Sequence, residues 1–218
     1  MHGYLQTPMR VYTIQPVAFY DELMRNGIVY CDRESWIAKE YRVQYDWMAQ
    51  QMRQRIGEPP LPQIQYPIWV WYQYISKKRP VPTMSSKDIL PGETQAVMME
   101  LEVPENEVLL SNFSLWHLPM NYAGICLKRE KRQYENELQK YEELLMKYRP
   151  LNEYPDEVQR ILKTWERVFD LDLRDPYEET RMRKNQIIQG TIWSLRKEWV
   201  KVAHFFNKYS EIKRIEFA

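Results

Sequence analysis

The sequence predicts an α+β domain, with a mostly antiparallel small sheet, flanking helices and a helical C-terminal half. Three observations carry this. The run YPIWVWYQYI from Tyr66 to Ile75 is dense in β-branched and aromatic residues, the composition that packs well on a pleated strand. Apolar residues in the second half recur in steps of three and four, the spacing of one helical face. Strands and helices mix in the first half and helices follow in the second, an order that suits an antiparallel sheet better than repeated βαβ units.

Taken in order, Arg10 to Gln15 reads as a short strand that ends at Pro16. From Pro16 to Asn26, Val17, Tyr20, Leu23 and Met24 mark a helix, with proline suited to its first turn and Gly27 to the position just past its end. Ile28 to Cys31 follows as a strand. A long helix capped by Asp32 or Ser35 runs to Ile56, with the stripe Ile37, Tyr41, Tyr45, Met48, Met52, Ile56, and Gly57 with the Pro59, Pro60, Pro62 cluster stops it. After the aromatic strand comes a polar loop from Ser76 to Glu93, longer than a simple connection. Gln95 to Val103 and Val108 to Leu110 read as strands, and Ser111 to His117 as an irregular or short helical stretch. Lys128 to Arg149 is a charged helix projecting from the body. Amphipathic helices close the chain over Asp156 to Phe169 and about Asn185 to Tyr209, the last through Ile188, Ile192, Leu195, Trp199, Val202 and Phe206. No internal repeat or linker divides residues 1–218, so a single domain is expected, with a helical insertion or projection at about 127–150.

Composition narrows the function classes. Lys and Arg total 31 against 30 Asp and Glu, a formal charge of +1 that gives no long-range pull toward nucleic acid or anionic lipid. Six isolated glycines leave no closely spaced nest for a phosphate, which sets aside Rossmann, P-loop and kinase-type sites. Two cysteines, Cys31 and Cys126, and three scattered histidines match no metal-ligand spacing, and free thiols in a reducing compartment are expected. The start of the chain lacks the order of a secretory peptide, and the longest apolar run is far short of the roughly 20 residues that span a bilayer, so a cytosolic location is expected. Nucleic-acid binding would have to rest on Lys77, Lys78 and Arg79 alone.

Several groups are candidates for chemistry. Trp69 and Trp71 share one face of their strand and offer rings to a planar ligand, with Gln73 supplying an orienting hydrogen bond; a strand buried on both faces is the competing reading. Glu100 and Glu102, two apart on a strand, also share a face, where a carboxylate can act as a base or stabilise an oxocarbenium-like cation. Ser111, Asn112, Trp116, His117 and Asn121 form a polar and aromatic patch in an expected loop, and His117 suits either a structural or a catalytic role.

Several motifs carry a resemblance. Val11-Tyr12-Thr13-Ile14-Gln15, Tyr45-Asp46-Trp47-Met48, Pro67-Ile68-Trp69-x-Trp71-Tyr72-Gln73, Val108-Leu109-Leu110-Ser111-x-Phe113-x-x-Trp116-His117 and Trp165-x-x-x-Phe169-Asp170 together resemble a bacterial family catalogued only as a domain of unknown function. A more distant likeness joins the Tyr12-Thr13 strand, the Leu23-x-x-x-Gly27 helix end, Gln95-Ala96, Val103-Pro104 and Val108-Leu109 to ADP-ribosyltransferases that modify DNA and tRNA ends. That resemblance implies a fold gripping NAD, an aromatic stacked on nicotinamide and a glutamate aiding its departure. Tyr12, Thr13 and Gln15 would then position the nucleotide with Ser111, Trp69 or Trp71 would stack, and Glu102 or Glu100 would stabilise charge. The chain departs from that pattern where the first motif's usual Arg or His has no equivalent and where Val97 stands at the natural glutamate position. The alternative is a non-enzymatic module whose helix from Lys128 to Arg149 docks a protein partner.

Overall fold

A computed structural model describes residues 7–31, 39–73, 94–126, 142–173, 186–207 and 211–217. Nine strands are present among them: β1 Pro8–Pro16, β2 Ile28–Tyr30, β3 Ile68–Gln73, β4 Gln95–Pro104, β5 Leu109–Asn112, β6 Ile188–Ile192, β7 Ser194–Arg196, β8 Val200–Asn207 and β9 Glu211–Glu216. The helices are α1 Val17–Asn26, α2 Arg42–Ile56, α3 Phe113–Met120 and α4 Asp156–Thr164. Seven strands form one sheet in the order β5-β6-β3-β1-β4-β8-β9, every pair antiparallel, while β2 and β7 make a separate antiparallel pair. The α+β class stands, and the sheet is larger than the small one expected.

One element was misread. The described part of the span from Asn185 to Tyr209, residues 186–207, is not a helix but holds β6, β7 and β8, so the second half is not wholly helical. Its β-branched and aromatic residues, with Gly190 among them, outweigh a spacing that only resembles a helical stripe. Gly190 is placed by packing. A Cβ there would lie 2.9 Å from Val108 Cγ1 and 3.2 Å from both Leu110 Cδ2 and Val70 Cγ2, so only glycine lets β5 and β3 close on β6.

On one face of the sheet Val11, Val97, Met99, Leu101, Val103 and Ala203 pack with Tyr20 and Leu23 of α1 and with Val29 and Leu195 of the small pair. Gly27, at φ 78°, ends α1 in the left-handed region and returns its N–H to Leu23 O at 2.8 Å, the stop the sequence predicts. Against β5 on the other face sits a helical layer in which Trp47 of α2 meets Trp116 of α3 at 6.2 Å and Trp165 at 5.6 Å. Helix α2 starts at Arg42, after a single 3-10 turn at Lys39–Tyr41, and buries Met48 and Met52 of the expected stripe together with Val43 and Trp47, which the stripe left out. The capping residues Asp32 and Ser35, the loop with Lys77, Lys78 and Arg79, and the expected helix up to residue 141 lie outside the described residues. The end of that helix, 142–145, is helical; Leu145 is fully buried and the Tyr148 hydroxyl donates to Asp46 Oδ2 at 2.8 Å, so this end packs on the body. No helix among the described residues is long and apolar enough to cross a membrane.

Candidate functional site

Residues directly opposite each other in an antiparallel ladder share a face, so the register can be followed across strands. Ser111 of β5 faces Gln189 of β6, Gln189 faces Trp71 of β3, Trp71 faces Tyr12 of β1, and Tyr12 faces Glu100 of β4. Five side chains from five neighbouring strands thus form one row on one face. At about 4.8 Å per strand step the row spans roughly 19 Å. Glu102 lies two residues from Glu100, opposite Arg10, whose Nη2 is 3.4 Å from Glu102 Oε1. Glu100 is the better buried carboxylate, with its side chain 16% exposed against 34% for Glu102.

Aromatics and a histidine gather over the row's middle. The Trp71 ring lies 5.0 Å from Phe113, the first residue of α3, and Phe113 meets His117 edge-on at 4.6 Å. Helix α3 begins there because the Asn112 side chain accepts the Leu115 N–H at 3.1 Å, a side-chain N-cap. Ser111 and Asn112 therefore end a strand, and Trp116 and His117 lie on a short helix, one of the two forms expected for this stretch. His117 is exposed, and its Nδ1 lies 2.9 Å from Phe113 O within its own helical turn.

The other sequence-predicted residues have structural duties. Trp69 donates from Nε1 to the Tyr45 hydroxyl at 3.2 Å and packs 5.3 Å from Trp116, which commits its ring to the helical layer and leaves Trp71 as the row's ring. Thr13 and Gln15 alternate with Tyr12 along β1 and so point away from the row. The Thr13 hydroxyl donates to Trp69 O at 3.0 Å and accepts from Gln15 Nε2 at 2.9 Å, stitching β1 to β3. Gln73 donates to Gln186 O at 2.9 Å, holding the end of β3 to the entry of β6.

Two polar atoms in the row stand out. Ser111 Oγ and Gln189 Nε2 are buried, in residues 0% and 4% exposed, and neither has a hydrogen-bond partner among the described residues. A buried donor or acceptor left unsatisfied costs about 1–3 kcal/mol, so such sites take up an ordered water or a ligand. Gln189 was not singled out from the sequence, nor was His204, whose Nε2 lies 3.3 Å from Glu100 Oε1. Both fall in the span misread as helix; read at period two, Val202, His204 and Phe206 share a face and the histidine stands out. Among the described residues no group of three or more His, Cys, Asp or Glu side chains is placed to hold a metal. An open groove of about 480 Å³ between α2 and α4, lined by Gln50, Gln51, Gln54, Gln159 and Lys163 over Trp47, shares no residue with the row.

No curated protein and no solved structure matches the chain. The family described as "Domain of unknown function (DUF3841)" matches residues 10–201, which takes in every residue of the row. By that match over most of its length, the chain belongs to the DUF3841 family.

Proposed function

We propose that the row from Ser111 to Glu100 binds NAD or a related nucleotide, and that the chain transfers ADP-ribose from it to a macromolecule. The observation that carries this reading is the row itself. It sets a tryptophan face beside an unpartnered amide donor and hydroxyl at one end, with a part-buried carboxylate at the other. Trp71 offers a surface for a planar ring, Gln189 Nε2 and Ser111 Oγ offer a donor and a hydroxyl to polar groups on it, and Tyr12 stands in register opposite the carboxylate.

In transfer, the bond between the ribose C1′ and the nicotinamide nitrogen breaks with its electron pair leaving on neutral nicotinamide. The ribose gains oxocarbenium character, which a carboxylate in a partly desolvated position stabilises. A lone pair on the acceptor forms the new bond to C1′, and the acceptor's proton passes to Glu100. Glu100 takes this role over Glu102, because it is the carboxylate opposite Tyr12 and is not engaged by Arg10.

The test is calorimetric titration with NAD, ADP-ribose and nicotinamide, followed by transfer from labelled NAD. Binding by wild type and by Glu100→Gln, with transfer by wild type alone, is the expected result. No heat with any of the three ligands would overturn the proposal.

A further inference from the structure

We infer that His204 is a positioning residue for Glu100, acting as an imidazolium held between Glu100 and Glu211. This rests on the reading of Glu100 as the site's carboxylate. Nε2 of His204 lies 3.3 Å from Glu100 Oε1 on β4, and Nδ1 lies 3.2 Å from Glu211 Oε2 on β9. The imidazole is 12% exposed, and the two carboxylates are 16% and 35% exposed. A carboxylate oxygen only accepts, and a neutral imidazole has one N–H. Both contacts are hydrogen bonds only when the ring carries both protons.

A bulge makes the arrangement. Between Phe205 and Phe206 the ladder of β8 with β9 shifts register, so that Glu211 rather than Ile212 stands opposite Phe206. The extra residue puts Glu211 on the face that carries His204 and Glu100 and leaves Ile212 48% exposed. An aliphatic side chain at the sheet edge is tolerated in exchange for a carboxylate in register with the histidine.

Among the described residues, the other charged groups near the ring are engaged elsewhere. On β9, Arg214 stands opposite His204, and its Nη2 is 2.7 Å from Glu216 Oε1. On β4, Met98 stands opposite His204 and Glu102 is taken by Arg10 of β1. On β8, Val202 and Phe206 flank the ring on its own face, and Lys213 of β9 lies over Phe205. Glu100 and Glu211 are therefore the described carboxylates that meet the imidazole.

The consequence is a fixed orientation of Glu100. Held from both sides, the histidine fixes one oxygen of Glu100 and leaves the other to face Tyr12 and the row. Edge strand β9 and the site carboxylate are thereby linked through one side chain.

The experiment uses the full chain with nitrogen-15 labelled histidine, observed by NMR. Two slowly exchanging ring N–H signals from His204 are expected. Glu211→Ala removes the Nδ1–H signal and Glu100→Ala the Nε2–H signal. In transfer from labelled NAD, His204→Gln lowers kcat by about tenfold to a hundredfold and leaves KM within about twofold. A single ring N–H, or the same signals in wild type and both glutamate variants, overturns the inference. So does a His204→Gln enzyme with the wild-type kcat. Should wild type show no heat with NAD, the transfer reading fails, and the ring signals alone decide whether the histidine holds Glu100.

Discussion

Replacing Gly190 by alanine tests the closeness of the three strands that carry three of the row's five side chains. The new Cβ would stand 2.9 Å from Val108 Cγ1, inside any distance real Cβ atoms adopt, and 3.2 Å from both Leu110 Cδ2 and Val70 Cγ2. Valine methyls have little room to swing away, because the β-branched side chain is stiff at χ1 and both are buried, Val70 within β3 and Val108 where the chain enters β5. Overpacking of this kind costs about 1–3 kcal/mol. Against it stands a gain of about 0.4–1 kcal/mol from stiffening the unfolded chain, since Gly190 does not occupy the left-handed region and alanine can adopt its backbone. The net is a destabilisation of about 1–2 kcal/mol, or about 2–8 °C in the melting temperature for a chain of this size. Differential scanning calorimetry reads it directly. Gly27→Ala is the control with the opposite physics: its Cβ would meet nothing within 4 Å, and its cost comes from the φ of 78° alone. A melting temperature for Gly190→Ala at or above wild type would mean that β5, β6 and β3 are not packed as described, and the Ser111–Gln189–Trp71 part of the row would go with it.

The remaining predictions separate residues of the row from those that build the fold. Trp71→Ala abolishes the calorimetric heat with NAD at little cost in stability, whereas Trp69→Ala costs about 3 kcal/mol in urea unfolding, because its ring is committed to Tyr45 and Trp116. Glu102→Gln shifts the urea midpoint by less than about 1 kcal/mol, as for an exposed ion pair, and leaves transfer intact; loss of transfer would move the catalytic assignment from Glu100 to Glu102. Alkali unfolds the chain early. Burial pushes the Tyr45 hydroxyl above its ordinary value, the hydrogen bond from Trp69 pulling the other way, and burial raises Tyr20, Tyr122 and Tyr154 too. A raised value keeps the folded state protonated after the unfolded chain has lost its proton, so this stability is full below about pH 10 and declines above it. Urea midpoints measured across that range should fall, and less steeply for Tyr45→Phe; parallel slopes in the two proteins would refute the assignment.

The first half of the fold was legible because its signals are local. Pro16 and Gly27 bracket α1, and the aromatic run of β3 has no helical reading. The error over Asn185 to Tyr209 has a physical cause. Ile188 and Ile192 lie on β6, Leu195 on β7, Trp199 in a 3-10 turn, and Val202 and Phe206 on β8. The chain leaves one sheet at Trp193, pairs with β2, and turns back at Lys197–Trp199. Each interruption resets the two-residue alternation by an odd number of positions, and short strands with odd resets generate spacings of three and four. A helical stripe and a strand that changes sheets twice therefore look alike in sequence.

The row was partly legible and its neighbours were not, for a related reason. Period two alone says that Tyr12 and Thr13 cannot share a face, so a site using Tyr12 excludes Thr13 and Gln15, and the structure gives those two the task of holding β1 to β3. It also says that Glu100 and Glu102 share a face. What it cannot say is which strand lies beside which. Tyr12 meets Glu100 because β4 pairs with β1 in one register, and a slip of one residue would have offered Leu101 or Met99 instead. That register is held by the opposite face, where Val11, Val97, Met99 and Leu101 must all be buried together. The apolar core thus fixes the position of the polar row, one residue out of phase on the same strands. A change that loosens the core side, such as Leu101→Ala, should therefore disturb Glu100 and His204 without touching either. Its expected cost is about 2–5 kcal/mol in stability, together with loss of the paired His204 ring signals. Retention of both signals at a lowered melting temperature would show that the two faces are independent.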